Sequence, residues 1–222
     1  DWRCDSPVYI CCSTPMLLSR NERPRTVKLF SIVIAAALSL TAAAQAQERP
    51  VLVELFTSQG CSSCPPADAL LHELAERDNV IALAVHVDYW DYIGWKDEFA
   101  DPANSARQRG YAMEAGRRSV YTPQMIINGT TDIVGARPME LSKAIADHST
   151  QTSSVTLSAM RDGDVVRIAA KSAGRSAGML IHMLRIQPDR TARITRGENA
   201  GHTLTYAIVT EDWKILREWD GA

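Results

Sequence analysis

VLVELFTSQGCSSCPP, residues 51–66, reads as an apolar strand that runs straight into a Cys-x-x-Cys opening a helix. That is the layout of a thiol redox centre. A cysteine at a helix N-terminus faces unpaired backbone N–H groups and the positive end of the helix dipole, which favour thiolate over thiol. Cys61 is therefore the expected nucleophile. Cys64, three residues on and within the first turn, is the thiol expected to displace it from a mixed disulfide, leaving the pair joined. Pro65 and Pro66 fit there because N–H groups of the first helical turn have no intrahelical acceptor.

Outward from this stretch, residues 65–77 predict a helix with Leu70, Leu71 and Leu74 on one face, and 80–87 a second, almost wholly apolar strand. Two buried parallel strands joined by a helix make a βαβ unit. Asp101 caps and Pro102 starts a further helix to about residue 115, with Gly116 in the stop position. Residues 124–128, an Asn128-Gly129 turn and 131–134 predict a β-hairpin, and 138–148 a last helix. From about Thr152 the pattern changes to short strands at 155–159, 165–169, 179–186, 191–195 and 203–209. They predict a small antiparallel sheet or sandwich over 151–222, packed on a first domain spanning 47–150. The stretch 196–201 reads there as a polar connection. The last strand is expected to be unfinished where the chain stops, soon after Trp219.

With 222 residues, 45% hydrophobic and 23% charged, the chain can bury a sizeable core. A net charge of −2 without a basic cluster gives no reason to expect nucleic acid or an anionic membrane as partner. The first methionine is Met16; a basic stretch at 20–28 precedes an apolar run at 29–40 and the small-x-small triplet Ala44-Gln45-Ala46. Residues 1–46 thus read as an upstream extension plus an export signal cleaved after Ala46, and the protein is expected to be periplasmic or secreted. An anchor is the alternative, but the apolar run falls short of the roughly 20 residues needed to span a bilayer. After cleavage Cys61 and Cys64 are the remaining cysteines. A four-residue ring gains little as a structural staple, and a zinc site needs two further ligands that no second Cys-x-x-Cys supplies. No cofactor or metal is expected.

The order strand, Cys-x-x-Cys helix, strand, helix, Thr-Pro, hairpin, helix resembles the thioredoxin fold over residues 50–148. Cys61 to Cys64, Thr122-Pro123 before the hairpin and Val134-Gly135-Ala136 before the closing helix carry the resemblance. The runs at 55–68, 87–92 (VDYWDY) and 121–125 (YTPQM) are similar to a bacterial family of secreted thioredoxin-like proteins of unknown function. The resemblance implies an α/β class, a thioredoxin-like fold followed by a small antiparallel β domain. It also implies a cis Thr122-Pro123 packed against the cysteines, its preceding backbone free to pair with a substrate strand; an ordinary trans proline is the alternative. A buried acid in the first strand completes the set. Glu54, on one strand face with Leu52 and Phe56, would exchange a proton with Cys64. A solvated position at a sheet edge is the other reading of Glu54.

Tyr89, Trp90, Tyr92 and Trp95 fall in seven residues past the second strand, either as a platform beside the thiols or as packing under a long insertion. His72 and His86 are read as structural or solvated. The function expected is an exported thiol–disulfide oxidoreductase working on exported protein disulfides with a separate electron-donor or acceptor partner. Ser62-Ser63 brings neither charge nor imidazole that would mark a strong oxidant, so reduction or isomerisation is preferred. A non-enzymatic binding module and a copper-handling thiol protein are the competing classes.

Overall fold

The computed structural model describes residues 49–174 and 178–221; the expected export signal lies outside them. β1 (Val51–Thr57) and β2 (Val80–His86) pair in parallel, Val51 opposite Val80 through Thr57 opposite His86, and α1 (Pro65–Ala75) makes the crossover. Only two parallel strands with their ends at the same edge permit this connection. α2 (Pro102–Glu114) follows, and the Asp101 carboxylate accepts the Ala103 N–H at 2.7 Å to close its first turn. β3 (Gln124–Ile127) and β4 (Thr131–Val134) form the predicted hairpin. Asn128 and Gly129, with φ of 45° and 73°, supply the two left-handed residues that a tight hairpin turn requires. β3 lies antiparallel on β1, and α3 (Pro138–Ser149) completes this part of the chain.

Side chains alternate across β1. Val51, Val53 and Leu55 enter the core with Ala67, Leu71 and Leu74 of α1 and Leu141 and Ile145 of α3. Phe56 points to the other face, where it joins Leu83, Val85, Ile126 and the Tyr111 ring of α2. Helices thus cover both faces of the β1–β2 pair, which is why these strands are apolar almost throughout.

The α/β class with a small antiparallel β part is what the chain shows, and the C-terminal strands divide between that part and the main sheet. β5 (Val155–Asp162) and β6 (Val165–Ser172) form a two-stranded sheet of their own. β7 (Met179–Arg193) and β8 (Thr203–Trp219) instead extend the main sheet, whose order is β4-β3-β1-β2-β8-β7. β8 meets β2 at the Ala84–Val209 pair, and the Thr210 hydroxyl donates to the Ala84 carbonyl at 3.0 Å. Tyr206, Val209 and Ala192 complete the α1 side of the core. Local signals hid these long strands. Pro188 reads as a break, and it does interrupt the ladder opposite Ile208 (φ 52°), but the pairing resumes in the same register from Gln187–Val209 to Asp189–Ala207, an interruption that an outer strand tolerates. Glu211-Asp212 reads as a turn, but Asp212 (φ 48°) lies where the pairing register shifts, a bulge that keeps the two strands together. Among the described residues no helix is long and apolar enough to cross a membrane.

Because the core is shared, a chain ending at residue 174 should lose the cooperative unfolding of the α/β part. Denaturant titrations followed by tryptophan fluorescence should show one transition for the longer chain; two would mean that 151–222 folds separately.

Candidate functional site

The parallel pairing brings the loop after β1 and the loop after β2 to one edge of the sheet, the usual place for ligands in α/β proteins. Cys61 and Cys64 sit in the first of these loops, joined in a disulfide with their Cα atoms 5.4 Å apart. Cys64 occupies the N-cap position of α1, and the N–H groups of Ala67 and Asp68 converge on its carbonyl at 2.8 and 3.1 Å. The supply of helix N–H groups is thinner than the motif implies. Pro65 and Pro66 have none, and the Ser62 N–H points 3.3 Å to the carboxylate of Glu198. The Ser63 hydroxyl lies 3.5 Å from the Cys61 sulfur and is the polar group in contact with it.

Thr122–Pro123 is cis. Its link to the cysteine loop runs through Trp90, whose indole N–H donates to the Thr122 hydroxyl at 2.7 Å. The Trp90 Cβ would stand 3.0 Å from a Cβ added to Gly60, so any larger residue before Cys61 would press the two loops apart by a few tenths of an ångström. Trp95 donates to the Gln59 side chain at 2.7 Å. These indoles clamp the loop, which is the packing role; Tyr92, stacked on Trp90 with ring centroids 6.4 Å apart, is 82% exposed.

Glu54 is buried, but not beside the thiols. It lies on the α2 face of β1, whereas α1 and the buried face behind Cys64 lie on the other. Arg107 Nε reaches its Oε1 at 2.6 Å, and the Tyr111 hydroxyl donates to Oε2 at 2.5 Å. The Arg107 guanidinium stacks 4.3 Å over the Trp213 ring of β8. The residue expected to exchange protons with Cys64 is thus a clamped structural carboxylate, because strand alternation sends residue 54 to the opposite side from residues 53 and 55.

On the thiol side stands Asp68, one turn behind Cys64 on the buried stripe of α1 and 6% exposed. Among the described residues neither carboxylate oxygen has a hydrogen-bond partner. The Thr57 hydroxyl is close enough to weigh on its titration, yet it too lacks a partner in bonding geometry. Burial pushes the Asp68 carboxyl from 3.8 up to about 7, with the positive charge available to His86 restraining the rise and Asp97 adding to it. His86, opposite Thr57 in the sheet, holds Asp97 at 2.8 Å through Nδ1 and leaves Nε2 unpartnered. Burial alone would raise the Asp97 carboxyl, but His86 and the N–H groups of Gln59 and Phe99 outweigh it and hold the carboxyl below its ordinary range. The Gln59 N–H bond, 2.8 Å, ties this pair to the cysteine loop itself.

The turn between β7 and β8, read from sequence as a mere connection, closes the site. Asn199 donates to the carbonyls of Gln59 and Cys61 at 2.9 and 3.0 Å, and Glu198 accepts the Ser62 hydroxyl at 2.6 Å. Nothing local marks residues some 140 positions from the cysteines. Asp68 was findable, since its spacing from Cys64, Leu71 and Leu74 places it on the apolar stripe. Among the described residues no group of three or more His, Cys, Asp or Glu side chains is placed to hold a metal ion.

An α/β protein with a closed disulfide at the ends of its central strands is the class that fold and site define. The chain belongs to the DUF1223 family, described as a protein of unknown function, whose family model matches residues 52–222. It is similar to a protein of Agrobacterium tumefaciens solved by X-ray crystallography, with 34% identity and a TM-score of 0.68 over 80% of this chain and 77% of that one. No curated protein matches the chain.

Arg107→Leu should leave Glu54 buried without its cation and cost about 3 kcal/mol in denaturant unfolding. The reduction potential of the cysteine pair should not move, since the clamp lies across the sheet; a shifted potential would return Glu54 to the redox site.

Proposed function

We propose that the protein is an exported thiol–disulfide oxidoreductase of thioredoxin-like plan, in which Cys61 exchanges with protein disulfides and Cys64 resolves the mixed disulfide. The observation that carries the reading is the closed Cys61–Cys64 disulfide with a buried acid, Asp68, one helical turn behind it and without a hydrogen-bond partner among the described residues. The element order and the cis Thr122–Pro123, tied to the cysteine loop through Trp90, support it. In the reduced protein the Cys61 thiolate attacks a substrate disulfide, the substrate S–S bond breaks, and one substrate sulfur leaves as thiolate. Cys64 then gives its proton to the Asp68 carboxylate and attacks Cys61; the substrate's second sulfur departs and the Cys61–Cys64 bond forms. Two electrons pass from the protein pair to the substrate. Asp68 replaces Glu54 as the proton acceptor. The proposed setting is the periplasm or the exterior, where a second redox partner restores the dithiol.

Trapping tests the reading directly. Cys64→Ala should accumulate mixed disulfides with other exported proteins, and Cys61→Ser should accumulate none and catalyse no exchange. Stoichiometric Cu(I) retention without exchange would favour copper handling, and neither property would favour a binding module.

Asp68 also sets a pH signature. Its folded pKa is raised, so the folded state holds the proton more tightly; the associated stability is full below pH 3.8 and is lost as pH rises through about 7. Asp68→Asn should therefore gain on the wild type by about 4 kcal/mol between pH 4 and pH 8, read by chemical denaturation. The same substitution should slow resolution roughly 100-fold and remove its dependence on pH near neutrality. A stability gain without a kinetic change would make Asp68 a bystander.

A further inference from the structure

Disulfide exchange requires an incoming sulfur to reach Cys61 in line with the bond that breaks. Both Cys61 and Cys64 are 0% exposed. The turn between β7 and β8 is part of that cover. Asn199, 6% exposed, spends its amide on the Gln59 and Cys61 carbonyls, the second of which flanks the reacting sulfur. Next to it, Glu198 is exposed and its Oε2 takes both the hydroxyl and the N–H of Ser62, the residue following Cys61. Gly197 and Gly201, with φ of 77° and 88°, bracket the segment, and the Ala200, Gly201 and His202 N–H groups bond within the turn. The cap is thus a compact piece hung between two glycines, held to the cysteine loop by Asn199 and Glu198. Among the described residues Glu198 has no cation within ion-pair distance, and its carboxylate is bonded to the residue next to Cys61, with the exposed Arg196 two positions away on the same turn.

We propose that the β7–β8 turn selects substrates by charge, with Glu198 admitting thiols and disulfides flanked by positive groups and turning away anionic ones. The inference rests on the exchange reading above and adds to it the class of partner: polypeptide sulfurs with lysine or arginine beside them. On this proposal a substrate displaces Glu198 from Ser62 as it reaches Cys61. A cationic neighbour replaces the bonds the carboxylate gives up, whereas an anionic one meets an uncompensated like charge. In the oxidised protein the step is attack of a thiolate on Cys61; the new S–S bond forms as the Cys61–Cys64 bond breaks, and Cys64 leaves with the electron pair and takes up a proton. A second thiolate attacks the substrate sulfur of the mixed disulfide and releases Cys61 as thiolate, so two thiols are oxidised to a disulfide and the protein pair is reduced.

The test uses the whole exported chain with the pair oxidised, opened by cysteamine, a cation, and by 2-mercaptoethanesulfonate, an anion. Rates are compared per thiolate and normalised to the same reagents on a neutral model disulfide; opening is read by alkylation and mass spectrometry. Cysteamine should win by about fivefold or more at low salt, as expected for two unit charges several ångströms away in water, and the preference should shrink at high salt. Glu198→Gln should abolish the preference and Glu198→Lys reverse it, while Asn199→Ala should speed both reagents and leave their ratio unchanged. Equal preference in the wild type and Glu198→Gln overturns the filter and leaves the exchange reading intact. No opening by either reagent in any variant overturns both.

Discussion

The parallel pairing of β1 with β2 is the constraint on which the site depends. A parallel pair needs a crossover, so α1 must start at the edge where both strands finish. The same requirement sets Thr57 beside His86 and brings the cysteine loop against the aromatic loop. Several polar contacts around the disulfide are consequences of that edge: Trp90 to Thr122, Trp95 to Gln59, His86 to Asp97. Extending the sheet with β8 adds the third contributor, because the turn that precedes β8 then folds over the same cysteines.

The two faces of β1 handle buried acids in opposite ways. Glu54 is neutralised by Arg107 and bonded by Tyr111, an arrangement whose value is structural and whose disruption leaves a charge stranded in the core. Among the described residues no group hydrogen-bonds the Asp68 carboxylate, which a structural carboxylate would rarely tolerate, since desolvation makes its ionised form costly. That asymmetry assigns the proton-handling part of the proposed chemistry to α1 rather than to the strand.

The first half of the fold was legible in the sequence because its signals are local: an apolar strand, a proline-opened helix, Asp101-Pro102 at a helix start, Asn128-Gly129 at a hairpin. The second half was not. Pro188 and Asp212 look like terminators until it is known that β7 is outermost and that β8 bulges, and both facts belong to tertiary structure. In the site the two cysteines and Thr122-Pro123 could be read directly. Glu54 was correctly placed in the interior but on the wrong side, because a strand's period fixes which residues share a face and leaves open which layer that face meets. Glu198 and Asn199 carry no sequence signal, being brought to Cys61 by the return of the chain through two long strands.

β7 is 15 residues long and ends the sheet, so among the described residues one side of its backbone has no neighbouring strand. Such a rim is a template on which another chain can add itself as a further strand. Pro188 interrupts the strand midway along it, and Arg185 and Arg190 on either side carry charge. Lateral recruitment by strand addition is thereby discouraged over the middle of the rim. The more apolar stretch before it, from Met179 to Leu184, is where self-association into ordered aggregates would begin once the protein is concentrated or partly unfolded.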